Sequence, residues 1–226
     1  MSQAESVDRL IAGELQAHFA CATIGRQITV LEQTASTNDA ILQLAAHQGA
    51  AVSSPPSLAN EGLVLFAEHQ TAGRGQRGNR WESAAGKGLW FSILLRPKIS
   101  ISDSARLTTW AIEAIADVIR TEFSLKPAIK LPNDVQIHER KVAGVLVEMR
   151  AQEKAPHLAI VGIGINVNQS VEDFPPELQN RAISLAMALH RPVDRQQLAV
   201  AILRNLNRTY REKFVTEVGT LQGQKG

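Results

Sequence analysis

Apolar residues recur along this chain in two periods, and the period in force at each stretch predicts the element. Between residues 5 and 20, Leu10, Ile11, Leu15 and Phe19 fall on or near one helical face. Ser36-Thr37-Asn38-Asp39 is dense in N-cap residues and precedes Ile41, Leu42, Leu44 and Ala45, so a second helix is expected to start there. The apolar runs 63–67 and 89–95 read as strands. From 102 to 123, apolar residues at 107, 110, 111, 114, 115 and 118 form a helical stripe that Pro127 ends. Four more strand candidates follow at 129–131, 135–137, 142–149 and 158–166. Short turns separate them, which favours antiparallel neighbours, because a parallel crossover needs about a dozen residues. A last helix is expected over 194–214, with Asp194 as N-cap and Leu198, Ile202, Leu206 and Tyr210 along it. Residues 49–62 and 168–181 read as loops, and the closing VGTLQGQKG as a frayed tail. This order predicts an α+β fold, a mixed and largely antiparallel sheet with helices packed against it.

Composition narrows the picture mainly by exclusion. The chain has 226 residues, enough to take roughly 70% of its unfolded surface out of water without a staple. A net charge of +2 argues by itself for neither nucleic acid nor a membrane surface. One cysteine, Cys21, excludes an internal disulfide framework and a multi-thiolate zinc site. No run approaches the ~18 apolar residues of a membrane-spanning helix, and no secretory signal is visible, so a cytoplasmic setting without membrane attachment is expected. Asn168-Gln169-Ser170 and Asn207-Arg208-Thr209 then read as chance triplets rather than glycosylation sites. The six histidines are scattered without ligand spacing, and no metal site is assigned. A G-x-S-x-G nucleophile elbow is absent.

The segment with the most chemical promise is Gln70-Thr71-Ala72-Gly73-Arg74-Gly75-Gln76-Arg77-Gly78-Asn79-Arg80-Trp81. Glycines let backbone N–H groups approach an anion, arginine adds planar donors for carboxylate or phosphate, and Trp81 offers a flat face. It is no Walker loop, since G-x-x-x-x-G-K-[ST] does not occur. Lys130-Leu131-Pro132-Asn133-Asp134 places a turn and polar groups at a strand end. Arg140-Lys141-Val142-Ala143-Gly144 sets a lysine at a hairpin-like bend. Gly162-Ile163-Gly164-Ile165-Asn166-Val167 begins like G-x-G-x-x-G, but Val167 stands where the third glycine belongs and no helix is signalled, so a dinucleotide fold is not expected. The two glycines read instead as close backbone approach in a sheet. Ser36-Thr37-Asn38, with N–H groups at a helix N-terminus, suits a carbonyl or ureido group as well as a cap.

Taken in this order, the segments at 36–38, 70–81, 132–134, 140–144 and 162–166 resemble the catalytic core of the biotin–protein ligase family. The resemblance implies a biotin/lipoate ligase-like fold akin to class II aminoacyl-tRNA synthetase cores. It implies biotin, ATP and Mg²⁺ as ligands, biotinoyl-5′-adenylate as intermediate, and a lysine of a biotin carboxyl carrier domain as acceptor. By resemblance, Ser36, Thr37, Asn38 and Gln70 hold the biotin ring system, and Gly73, Arg74, Gly75, Gln76, Lys141 and Gly144 complete the biotin site. Lys141, Arg74 and Asp134 are the catalytic candidates. Arg77, Trp81, Asn133 and Asn166 face the nucleotide. Residues 1–190 would form the catalytic domain and 191–226 a C-terminal helix and tail, without room for a full C-terminal β-barrel. No winged helix precedes residue 36, so DNA binding is not expected, and a homodimer is left open. Two positions depart from the family: Gln76, often arginine, which bears on retention of the adenylate, and Leu131, often tryptophan, which bears on local packing. Three other readings stay open. They are a lipoate or octanoyl ligase of the same superfamily, a nucleic-acid-binding module using Arg74, Arg77, Arg80 and Lys87, and a catalytically inactive biotin-binding domain.

Overall fold

In a computed structural model, residues 8–51, 60–152 and 156–215 are described. Their centre is a seven-stranded sheet built from β1 (Ile28–Thr34), β2 (Val64–Gln70), β3 (Gly88–Leu95), β4 (Ala128–Lys130), β5 (Asp134–Ile137), β6 (Arg140–Arg150) and β7 (Leu158–Asn166). The order across the sheet is β1-β2-β3-β7-β6-β5-β4. Only β1 and β2 run parallel, and the crossover between them carries helix α2 (Thr37–Ala51). Every other neighbouring pair is antiparallel, as the short connections require.

The two faces of the sheet are covered differently. Helix α3 (Ala105–Phe123) packs on one face with α5 (Arg195–Tyr210), burying Leu107, Trp110, Ala111, Ala114, Ile115 and Val118. These are the six positions of the stripe read from the sequence. α3 stops where Ser124 takes a left-handed conformation (φ 53°) and returns its N–H to the Arg120 carbonyl. On the other face α2 covers only one end, where Ile41 packs with Leu63, Leu65, Leu94 and Ile160. The rest of that face is left for the site.

Several elements differ from the sequence reading. β1 was not anticipated: it is an edge strand whose residues are mostly half-buried, so its apolar period is faint. The first helix, α1, spans only Ala12–Ala17; the start of the expected 5–20 stretch, like residues 52–59 of the expected loop, lies outside the described residues. A short helix α4 (Leu185–Leu189) sits in a stretch with no expected element, its start fixed by Ser184, which accepts the Met187 N–H at 3.0 Å. The last helix is α-helical to Tyr210, and a single π-helical turn continues it to Val215.

α5 is held by a buried ion network. Arg195 is fully buried and reaches Glu68 at 2.6 Å, the Gly88 carbonyl at 3.1 Å, and Asp8. Glu68 in turn accepts the Leu10 N–H at 2.9 Å. One guanidinium thereby joins the N-terminal segment, β2, β3 and α5.

Candidate active site

Strand alternation builds the floor of the site. On β3, Trp90 and Ser92 face the α2 side, while Phe91 and Ile93 face the α3 side. Register carries this across the sheet: Ser92 pairs with Gly162, and Gly162 with Leu146; Trp90 pairs with Gly164, and Gly164 with Gly144. Three glycines therefore lie where neighbouring strands carry side chains, and they leave a hollow. A side chain lies over each glycine position. A Cβ at Gly162 would stand 2.4 Å from Asn38 Oδ1, and one at Gly164 would stand 2.5 Å from the Trp81 indole. The expectation of close approach at these two glycines is met by side chains rather than by backbone.

A bulge brings the lysine to the same hollow. Lys141 and Gly144 differ by an odd number of residues and would face opposite sides of a regular strand. Between β5 and β6 the register shifts: Val135 pairs with Ala143 but Gln136 with Lys141, so Val142 is the extra residue. Val142 and Ala143 both enter the core, and Lys141 and Gly144 both line the cleft. The turn before it, at His138 and Glu139, has positive φ at both residues (49° and 61°), as a two-residue hairpin demands.

The cleft is narrow, about 40 Å³, and its walls include Ser36, Thr37, Asn38, Gln70, Arg74, Gly75, Trp81, Asn133, Lys141 and Gly144. At one end is a buried polar network. Gln70 Oε1 accepts from the Thr37 N–H at 2.9 Å and from its hydroxyl at 3.2 Å. The Gln70 amide donates to Ser83 at 3.3 Å. Ser92 donates to Asn38 Oδ1 at 2.6 Å and stands 2.8 Å from Thr37 Oγ1. Asn38 donates to Glu148 at 2.6 Å. The start of α2 is thus less open than the sequence suggested, since the Thr37 N–H is already held by Gln70. Ser92, Ser83 and Glu148 were missed: a serine within an apolar strand and a glutamate near a strand end gave no signal until the register joined them.

The cations stand beside this network: Arg74 shares Glu148 Oε2 with Asn38, and Lys141 lies against Trp81. Lys141 Nζ is 2.6 Å from Asp134 and 5.1 Å from the centre of the Trp81 ring. Arg74 makes a two-pronged pair with Asp39, at 2.5 and 2.9 Å, and lies 3.4 Å from Glu148. Hydrogen bonding and charge from Arg74 hold the Asp39 carboxyl below the usual range against a modest desolvation, and the same pair raises the Arg74 pKa. The arginine loop folds on itself as a small hairpin. Gly73 accepts from the Trp81 N–H at 2.9 Å, Gly75 donates to the Asn79 carbonyl at 2.7 Å, and Arg77 sits at the tip at φ 57°. A Cβ at Gly73 would meet the Trp81 carbonyl at 2.6 Å.

The expected site residues do not all line the cleft. Gly73 lies buried beneath the loop, while Gln76 and Arg77 sit in its outer turn. Trp81 leans into the cleft against Gly144 and Gly164, edge to face with Trp90 at 5.9 Å. Asn133 lines the cleft but donates to the Val145 carbonyl at 3.0 Å. Asn166 is 4% exposed; its amide donates to the Lys141 and Ile183 carbonyls at 3.3 Å and accepts from Gln169. Its role in this structure is to fasten the base of the lysine. The basic surface of the nucleic-acid reading is largely neutralised by pairing: Arg74 with Asp39, Arg80 with Glu82 and Lys87 with Asp173. Among the described residues no group of three or more His, Cys, Asp or Glu is placed to hold a metal, and no helix is long and apolar enough to cross a membrane.

Comparison with known proteins places this geometry. A bifunctional ligase/repressor BirA of Bacillus subtilis is 40% identical over 154 residues, 68% of this chain and 47% of its own length. A biotin–[acetyl-CoA-carboxylase] ligase of Mycobacterium tuberculosis is 34% identical over 185 residues, 80% of this chain and 63% of its own. The chain thus spans about half to two thirds of the length of these curated relatives. A biotin protein ligase of Aquifex aeolicus, solved with biotin and ATP, superposes with a TM-score of 0.64 at 28% identity, covering 84% of this chain and 73% of that one. The sequence pattern of the biotin/lipoate A/B protein ligase family matches residues 32–166, which run from β1 to the last residue of β7 and take in every wall of the cleft, and the chain belongs to that family.

Proposed function

We propose that this chain is an ATP-dependent biotin–protein ligase. A biotin carboxylate oxygen attacks the α-phosphorus of ATP and pyrophosphate leaves, giving biotinoyl-5′-adenylate. A carrier lysine amine then attacks the acyl carbon, AMP leaves, and the amine's proton passes to a base. The observation that carries the reading is the division of one cleft between neutral hydrogen-bonding groups at Thr37, Asn38 and Gln70 and two cations, Lys141 and Arg74, each paired with a carboxylate that the ligand's acid can replace. A ureido ring with an acid tail has the matching division. The likeness to a biotin–[acetyl-CoA-carboxylase] ligase and to a biotin protein ligase solved with biotin and ATP supports the same substrate.

In the first step two negative groups must meet, so the barrier is largely electrostatic and no protein nucleophile is required. Lys141, half-buried and anchored by Asp134, supplies charge that needs little reorganisation. Arg74 supplies a second charge by exchanging Asp39 for the ligand's acid. Mg²⁺, if it accompanies the triphosphate, would supply further positive charge to the same step. Asp134 faces the acyl end and is the base or orienting group for the incoming lysine. Trp81 and the arginine hairpin shield the acyl phosphate from water. The test is exchange of labelled pyrophosphate into ATP: biotin must switch it on in pure, folded protein. Exchange driven by lipoate or octanoate instead would move the chain to the other branch of the superfamily, and no exchange with either would leave a binding domain.

A further inference from the structure

We propose that Glu148 is a positioning residue that sets which polar atom Asn38 offers to the ligand, and that it ties the ring end of the cleft to Arg74. The inference rests on the biotin reading above. An amide side chain can turn over and exchange its donor and acceptor ends, and a site that recognises a ureido group must forbid this. Here a carboxylate decides it, and two further neighbours fit the same orientation. Glu148, an acceptor only when ionised, takes one Asn38 N–H at 2.6 Å, so the NH₂ end must face it. Ser92 donates to Oδ1 at 2.6 Å. Beneath, Gly162 leaves the amide no side chain to meet, with a Cβ there falling 2.4 Å from Oδ1, so the oxygen lies pressed on the sheet. Asn38 is left with its second N–H for the cleft, a donor suited to a ureido oxygen.

The sheet register explains why this residue is available. Glu148 lies two residues beyond Leu146 on β6, on the cleft face, and Leu146 pairs with Gly162. From there the same carboxylate reaches Arg74 at 3.4 Å. One acidic group therefore orients the ring-binding amide and restrains the acid-binding guanidinium.

The experiment measures affinity of the full chain for biotin and for 2-iminobiotin, in which a protonated nitrogen replaces the ureido oxygen. Wild type should discriminate strongly for biotin. Glu148→Gln, whose amide can face Asn38 with either end, should weaken biotin binding tenfold or more, as loss of a hydrogen bond to a charged group implies. It should also narrow the biotin to iminobiotin ratio, a change that loosened packing alone would not produce. A double-mutant cycle of Glu148→Gln with Asn38→Ala should be strongly non-additive. Should Glu148→Gln fail to fold, Ser92→Ala releases the other end of the amide, and severalfold weaker biotin binding with a narrowed ratio is expected. An unchanged ratio, or additive effects in the cycle, overturns the proposal while the ligase reading stands. Wild-type protein that binds no biotin overturns the ligase reading itself and the inference with it.

Discussion

Replacing Gly164 by alanine tests whether Trp81 must keep its seat on the sheet for the cleft to work. The new Cβ would lie 2.5 Å from Cε2 and Cζ2 of the indole and 2.9 Å from its Nε1. The strand beneath cannot retreat, because β7 is paired on both sides, to β3 and β6. The indole must move instead, and its backbone is tethered by the hydrogen bond to Gly73. Forcing a methyl into such a contact costs about 1–3 kcal/mol, and loss of the Lys141–Trp81 contact adds about 0.5–1 kcal/mol. Trp81 is half-exposed and can swing outward, so global stability should fall by less than about 1 kcal/mol, while the cost appears in ligand binding. A loss of 1.5–3 kcal/mol weakens biotin binding about ten- to a hundredfold. Calorimetric titration with biotin measures this, and tryptophan emission checks the cause: Trp90 and Trp110 are buried, so a red shift reports Trp81. Biotin affinity within twofold of wild type, with unshifted emission, would refute the reasoning.

Further outcomes follow from the same geometry. Lys141→Ala should slow adenylate formation by about a hundredfold or more, if the lysine aims charge at the transition state; wild-type exchange rates would remove it from the chemistry. Arg195→Met leaves the Glu68 carboxylate buried without its cation and should cost about 3–5 kcal/mol in urea unfolding; adding Glu68→Gln should recover part of that loss, and a single-variant cost below about 1 kcal/mol would contradict the network. Tyr210 is the chain's one tyrosine, and burial first, then the charge and hydrogen bond of Glu61, push its phenol well above the ordinary range. Because the folded pKa lies above the unfolded value of about 10, this contribution is full below pH 10 and is lost as pH rises beyond it. Tyrosinate absorbance should therefore appear together with alkaline unfolding; ionisation near pH 10 with circular dichroism retained would contradict the burial.

Much of the fold was legible because strong periods belong to well-buried elements. The α3 stripe and the apolar runs of β3 and β7 face the main core, and their patterns are correspondingly clean. β1 was not legible, since an edge strand half-exposed to water keeps polar residues such as Glu32 and Gln33. The candidate site shows a similar division. Ser36-Thr37-Asn38, Gln70, Arg74 and Lys141 were readable as polar groups at element ends, and they do line one cleft. Ser92 and Glu148 were not, because their importance lies in register: nothing local says that Ser92 faces Gly162 or that the bulge at Val142 turns Lys141 toward Gly144. Arg195 was hidden by its place just after a helix cap, where a solvated side chain is the ordinary case.

The measurement that bears most directly on the account is a crystal structure of the protein with biotin bound. The account predicts the ureido ring against Thr37 and Asn38 over Gly162, and the carboxylate within hydrogen-bonding distance of Lys141 Nζ with Arg74 turned toward it. Biotin bound elsewhere, with Lys141 and Arg74 directed away from it into bulk water, would contradict it.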